Sequence, residues 1–260
     1  MNGEFYGVYT NIEAEDKQFL KRWFKNHRGN LYEKDGYSDF KPGSESGFDL
    51  ETNEKTNDTS DLTELLSVIH NATDSETYLE DLGKRIDTDR LLKFIAVEGM
   101  VNQWDSLSFT MWWTHNFRLY HDPDSQKFVF IPWGHDLCLK PALYSGRPYI
   151  RMFNVMHRAD NRGSAISSSI LFRRCLTSPN ARSAYKNAIQ EVIDVWERLD
   201  MESAARRYYT QIRPYVYIDE RKSTELKSPL SNQQFEEAYQ QLQKTIRGRL
   251  AAVRSDLRNH

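Results

Sequence analysis

Cysteine is nearly absent from this 260-residue chain: Cys138 and Cys175 are the two it has. Two cysteines exclude a disulfide framework and leave either one bridge or two thiols. Long apolar runs are missing as well, and no stretch approaches the roughly 20 residues that cross a bilayer. Charge of one sign is missing too. Thirty-five Lys and Arg stand against 37 Asp and Glu, for a formal charge of -2. Such a balance gives no electrostatic reason to expect a nucleic-acid partner. The residues Met1-Asn2-Gly3-Glu4-Phe5-Tyr6-Gly7 offer neither a basic stretch nor an apolar one, so no secretory signal is read there. Absent also are a G-x-S-x-G elbow, a G-x-G-x-x-G turn and a G-x-x-x-x-G-K-[ST] loop. What is plentiful is aromatic side chain, with 6 Trp, 14 Tyr and 13 Phe. A dense globular core is easily built from them.

The pattern along the chain predicts α+β with segregated elements. Asn2-Gly3 is a hairpin signal, and the alternation of Phe5, Val8, Tyr9 and Ile12 predicts a strand ending at Glu13. Phe19, Leu20, Trp23 and Phe24 make a helical stripe within 14–26, and Leu31–Lys34 reads as a short strand. Residues 35–60 are rich in Gly, Ser, Asp, Asn, Thr and Glu and read as a long surface loop, with a short strand at 47–50. Asp61 with Glu64 suggests a capping box for a helix bearing Leu62, Leu65, Leu66 and Ile69. A second helix is predicted from Asp87 to about Val101. Two apolar runs around Asp122-Pro123-Asp124-Ser125 predict a hairpin over 117–131. Helical periods follow at 168–177, 180–197, 200–212 and 231–258. The last reads as solvent-facing, although Phe235, Tyr239, Leu242, Ile246, Leu250 and Val253 form a stripe that favours packing.

Two segments carry candidate chemistry. Asp105, after Val101-Asn102-Gln103-Trp104, is the first charge beyond an apolar helix face and could accept a proton from an incoming hydroxyl. Asp136, after Phe130-Ile131-Pro132-Trp133-Gly134-His135, follows a strand and a turn and could hold a cation. With Asn116 at the hairpin's entry, the set matches what phosphoryl transfer requires: a base, Mg²⁺ ligands and a planar ring for a nucleobase. Plainer roles stand beside these, with Asp105 as a helix-terminal residue and Asp136 as an N-cap. His115, His121 and His135 lie close in sequence, but alternation across a hairpin argues against a zinc site.

These residues together resemble the CotH kinase family, named after spore coat protein H. The resemblance rests on Asn2-Gly3-Glu4-Phe5-Tyr6-Gly7-Val8-Tyr9 through Glu13, on Leu31-Tyr32-Glu33-Lys34, and on Ile86-Asp87 through Val101 with Trp104-Asp105. It continues with Asn116 to Pro123, Lys127-Phe128 to Asp136, and Leu171 to Leu176. It implies an atypical protein-kinase-like fold as one domain over 1–260. In that reading 1–34 are a remnant of a truncated N-lobe and hinge, 35–60 an irregular insert, and 61–260 a mainly helical C-lobe holding the central hairpin. It implies use of ATP and Mg²⁺ to phosphorylate Ser or Thr of coat or secreted proteins, in a spore-coat or extracytoplasmic setting. Carried over residue by residue, Asp105 is the catalytic-loop aspartate, Asp136 the metal-binding aspartate and Asn116 a second metal ligand. Glu13 falls at the hinge beside the adenine, and Trp133 is either a wall for the adenine ring or a core residue. Where the family commonly has an Asp after its tryptophan, this chain has Gly134. Two readings follow: an ATP-dependent protein Ser/Thr kinase, or a non-catalytic structural or binding module of a coat or cell surface.

Overall fold

The computed structural model describes residues 3–34, 39–109, 114–140, 149–155, 157–159, 165–167, 169–223 and 230–260. Among them the architecture is mainly helical α+β. Four short strands, β1 (Leu31–Lys34), β2 (Phe48–Leu50), β3 (Phe117–Asp122) and β4 (Lys127–Pro132), form one antiparallel sheet in the order β2-β1-β3-β4. The predicted hairpin is β3 and β4, with Leu119 opposite Phe130 and Arg118 opposite Ile131. Two three-residue strands, β5 (His157–Ala159) and β6 (Ala165–Ser167), pair separately.

Eight helices surround the sheet in the described residues: α1 (Lys17–Trp23), α2 (Ser60–Asn71), α3 (Tyr78–Gly83), α4 (Thr88–Met100), α5 (Ile170–Thr177), α6 (Pro179–Leu199), α7 (Met201–Ile218) and α8 (Asn232–Asn259). Their starts follow local chemistry. Asp87, Ser169, Ser178 and Ser231 each accept a backbone N–H at an N-terminus, and Pro179 takes the first position of α6. One hydrophobic cluster runs from Tyr32 to Val253 and draws on the sheet, α2, α4, α5, α6 and α8. At its centre Phe40 stacks on Phe117 with centroids 5.8 Å apart, and Phe130 packs against both. A smaller cluster of Leu20, Leu31, Tyr120 and Ile131 seals the other face of the sheet under α1.

Four expectations change. Residues 5–13 form no strand, because no neighbouring strand pairs with them. Gly3 and Gly7 have φ of 84° and 114°, which breaks the extended alternation. Phe5 and Tyr6 instead lie on the end of α7, with Tyr6 under the Arg221 guanidinium at 3.7 Å. Asn2 lies outside the described residues. The cap of α2 is at Thr59, and Asp61 turns inward, where Tyr32 Oη, Asn30 Nδ2 and His121 Nδ1 all meet its carboxylate. Of the 35–60 stretch, residues 35–38 lie outside the described residues, and the rest is anchored rather than superficial: Phe40 is fully buried, and Asp39 accepts the Ile170 N–H at the start of α5. Finally, α8 is solvent-facing only in its first half. Thr245, Ile246, Arg249, Val253 and Asp256 are buried.

Arg249 is the reason α8 stays docked. Its Nε and Nη2 donate to the Gly99 carbonyl at 3.0 and 2.6 Å, and its Nη1 donates to the Ile150 carbonyl at 2.7 Å. The guanidinium thus caps the negative end of α4. Burial pulls its pKa down to about 10, so it remains charged at neutral pH. Asp256, about two turns further along, accepts the Met152 N–H at 2.9 Å and pairs with Arg151. Arg249→Ala is expected to cost about 3 kcal/mol or more, because buried carbonyls lose charged donors and a cavity opens. Arg254→Ala, which removes an exposed pair with Glu197, is expected to cost less than about 1 kcal/mol. Urea denaturation of the two variants beside the parent chain checks this, and equal losses would refute it.

Candidate functional site

The site begins where α4 stops. Val101 is the last half-helical residue and Asn102 takes a left-handed φ of 56°. The Asn102 N–H donates to the Gly99 carbonyl at 3.0 Å and the Gln103 N–H to the Glu98 carbonyl at 2.9 Å. That is a Schellman ending, with asparagine in the place glycine most often takes. The Asn102 side chain then ties down two later segments, accepting the Ile150 N–H and donating to the Lys140 carbonyl. Beyond it the loop is sunk in the protein: Asn102, Gln103, Ser106, Leu107, Ser108 and Phe109 are all buried. Asp105 is the member of this run that keeps partial exposure.

Asp105 is gripped on both carboxylate oxygens. Asn116 Nδ2 donates to Oδ2 at 3.0 Å and to the Asp105 backbone carbonyl at 2.6 Å, while His115 Nε2 lies 2.9 Å from Oδ1. Asn116 itself has a φ of 60°. Its neighbour across the strand ends is Gly134, also left-handed at 62°. A Cβ on Gly134 would stand 2.5 Å from Asn116 Oδ1, so the two segments touch there because residue 134 is glycine. Gln103 Nε2 donates to the Gly134 carbonyl at 2.9 Å, and the Trp133 N–H reaches the Asn116 carbonyl. Loop 102–109, the entry to β3 and the exit of β4 are therefore one assembly. Asp136 follows in the 3-10 turn His135–Leu137 with an exposed side chain. Burial lowers the pKa of the adjacent His135, partly offset by Asp136.

Of the candidates named from sequence, Asp105 and Asn116 are in direct contact, and Asp136 is two residues beyond the glycine that Asn116 touches. Trp133 is half-buried with the Arg118 guanidinium 5.2 Å above its ring, so it is not a core tryptophan. Glu13 sits apart from these. It pairs with Arg22 at 2.6 Å and accepts the Trp23 indole N–H, both on α1. The glutamate that does reach the sheet is Glu15. Arg118 lies 3.0 Å from Glu15, 2.8 Å from Glu33 and 3.6 Å from Glu51. Burial lifts the Glu15 pKa to about 7 despite the opposing pull of Arg118. His115, Gln103, Glu98 and Arg118 escaped the sequence reading as site residues. His115 was visible as the neighbour of Asn116, but nothing in the intervening spacing reveals that its ring meets Asp105.

A family model described as CotH kinase protein matches residues 1–253, and the chain belongs to that family. It is similar to Inner spore coat protein H of Bacillus subtilis (strain 168), 23% identical over 240 residues covering 87% of this chain and 60% of that protein. The chain thus spans about three fifths of the length of that relative.

Gly134→Ala tests the contact that joins the segments. The added methyl meets Asn116 Oδ1 and forces alanine into left-handed backbone, so a loss of about 1–3 kcal/mol is expected. Gly43, also left-handed but with open space around it, serves as the control. Its alanine variant carries the backbone strain alone, and calorimetry of both separates the clash from the strain.

Proposed function

We propose that the chain is a protein kinase of the CotH type, with the atypical kinase-like arrangement as a single domain over 1–260, transferring the γ-phosphate of ATP to Ser or Thr. The observation that carries this reading is Asn116. Its amide nitrogen holds Asp105, and its oxygen faces Gly134, two residues before Asp136. One side chain thereby couples a candidate base to a candidate cation ligand.

The donor set suits Mg²⁺. Asp136 and Asn116 offer one carboxylate and one amide oxygen, hard ligands of the kind Mg²⁺ takes when nucleotide phosphates and water complete its octahedron. No group of three or more His, Cys, Asp or Glu converges among the described residues. Held by Asp136 and Asn116, Mg²⁺ would neutralise charge developing on the transferred group. The protein's part is positioning and proton transfer. Asp105 Oδ2 has a second lone pair beyond its contact with Asn116, whereas Oδ1 is buried against His115. A Ser or Thr hydroxyl donates to Oδ2, is held in line, and gives up its proton to Asp105 as its oxygen bonds to the γ-phosphorus, the bond from that phosphorus to the bridging oxygen breaks, and ADP leaves. Asn116 and His115 keep the carboxylate aimed throughout, which limits the reorganisation the step requires. Trp133 and Glu13 are assigned to the adenine by family resemblance. Trp133 presents a ring already braced by Arg118, and Glu13 must release Arg22 or Trp23 to meet a base edge. By the family resemblance, the substrate is a coat or secreted protein in a spore-coat or extracytoplasmic setting; the printed name of the Bacillus subtilis relative is that of an inner spore coat protein.

Thermal-shift titration with ATP, with and without Mg²⁺, tests the reading. A Mg²⁺-dependent rise in melting temperature is expected, lost in Asp136→Asn and kept in Asp105→Asn. Phosphate transfer from labelled ATP to Ser/Thr peptides is expected to fall about 10²- to 10⁴-fold in Asp105→Asn. Absence of any Mg²⁺-dependent shift at millimolar ATP would reject the kinase and leave a non-catalytic coat or surface module.

A further inference from the structure

Beneath the loop that carries Asp105 lies a carboxyl group with no place in the chemistry above. Glu98 is on the last turn of α4 and is almost wholly buried. Its Oε1 accepts the Leu107 N–H at 3.3 Å, and Ser106 Oγ and the Ser108 N–H also lie within hydrogen-bonding range of the carboxyl group. Its own backbone carbonyl accepts the Gln103 N–H at 2.9 Å. One residue therefore holds both ends of the run 103–108, with Asp105 between them. Ser106 Oγ adds a brace, donating to the Gln103 carbonyl and accepting from the Phe109 N–H.

We propose that Glu98 is a positioning residue for Asp105, anchoring from inside the core the loop that presents the catalytic carboxylate. Its role in turnover rests on the kinase reading; its hold on the loop does not. The chemistry of the anchor is unusual. Desolvation raises the Glu98 pKa to about 8, more than the three loop hydrogen bonds lower it. Oε2 has no hydrogen-bond partner among the described residues, so an ionised form would leave buried charge uncompensated. The side chain is thus a neutral acid at pH 7. Two other titratable groups belong to the elements packed around it. Tyr185 of α6 is held well above its ordinary range by burial and by Cys175, with Glu98 a lesser contributor, and donates to the Met152 carbonyl. Arg249 of α8 directs its donors to the Gly99, Met100 and Ile150 carbonyls and Met152 Sδ. Neither offers Glu98 a salt bridge.

The pH dependence has a definite sign. A carboxyl of pKa about 8 when folded and 4.5 as its ordinary value binds more proton in the folded state between those limits. Its contribution to stability is full below the lower value, declines as pH rises, and is gone above the upper one. Above pH 8 the buried charge is expected to favour states in which the loop opens and water reaches the carboxylate.

Amide hydrogen exchange of the full chain reads the anchor without reference to activity. After correction for intrinsic base catalysis, protection at Leu107 and Ser108 is expected to fall as pH rises from 7 to 9. In Glu98→Gln, which keeps an acceptor and cannot ionise, that fall disappears. In Glu98→Ala protection is lost at every pH. Isotope-edited infrared spectroscopy of the parent chain should show a protonated carboxyl at pH 7 that is absent from Glu98→Gln, and this reading survives even if Glu98→Ala fails to fold. For phosphate transfer, Glu98→Ala is expected to lower kcat about 10- to 100-fold with little change in the KM for ATP. Glu98→Gln is expected to restore most of kcat and abolish the decline above pH 8. PH-independent protection in the parent chain, or a Glu98→Gln variant that keeps the alkaline fall, overturns the proposal. Absence of phosphate transfer in the parent chain would instead reject the kinase reading and leave the exchange result to decide the anchor.

Discussion

The structure depends on how the end of one helix is satisfied. An α-helix leaves its last carbonyls without partners, and α4 ends in the middle of the protein, where water cannot supply them. Arg249 supplies the answer from α8. Its guanidinium, buried with no carboxylate at hydrogen-bond distance among the described residues, is held by main-chain carbonyls of α4 and of the 149–152 segment and by Met152 Sδ. The close approach this requires is visible at Gly99, where any Cβ would stand 2.6 Å from Met152 Sδ. Burying a cation is costly, so such a contact persists only when several elements converge on it. Here α4, α8 and the 149–152 segment meet at one side chain.

Everything in the candidate site is set out from that fixed point. Once α4 ends in place, Asn102 turns the chain through left-handed backbone, and its side chain gathers Lys140 and Ile150. Gln103 crosses to the Gly134 carbonyl, and Asn116 joins Asp105 to the same turn. Asn102, Gln103 and Asn116 each donate to a main-chain carbonyl. Those bonds tie the loop to the segments around it and leave Asp105 as its partly exposed carboxylate. The opposite side of the sheet follows another logic, with Arg118 among Glu15, Glu33 and Glu51 beside Trp133. Arg118 links Glu15 of the N-terminal segment to Glu33 of β1.

Local signals were legible where one element's own residues decide its form. The β3–β4 hairpin, the β1 strand and the start of α4 at Asp87 all emerge from spacing and turn chemistry. Legibility failed where a partner distant in sequence decides. The alternation of Phe5, Val8, Tyr9 and Ile12 is a strand pattern, but a strand needs a neighbour, and the sheet's partners lie elsewhere. Asp61 has the look of a cap, yet Asn30, Tyr32 and His121 from two strands' surroundings offer its carboxylate three donors. Arg249 reads as one more charge on a polar helix, because nothing in its own helix announces buried carbonyls.

The same division holds for function. The sequence by itself determined the residue types: an aspartate after an apolar helix, an asparagine at a hairpin's mouth and an aspartate after Trp-Gly-His, in an order that matches one family. Their order along the chain is a local property, and so is the turn chemistry of Asn102 and Gly134. Tertiary structure alone decided which of these meet. Asp105 and Asn116 come into hydrogen bonding across 11 positions, His115 closes on the other oxygen, and Glu98 meets the loop from below. It also decided the protonation of Glu98, because a carboxyl's pKa depends on how much water and charge surround it, and burial is a property of the packed molecule rather than of any segment.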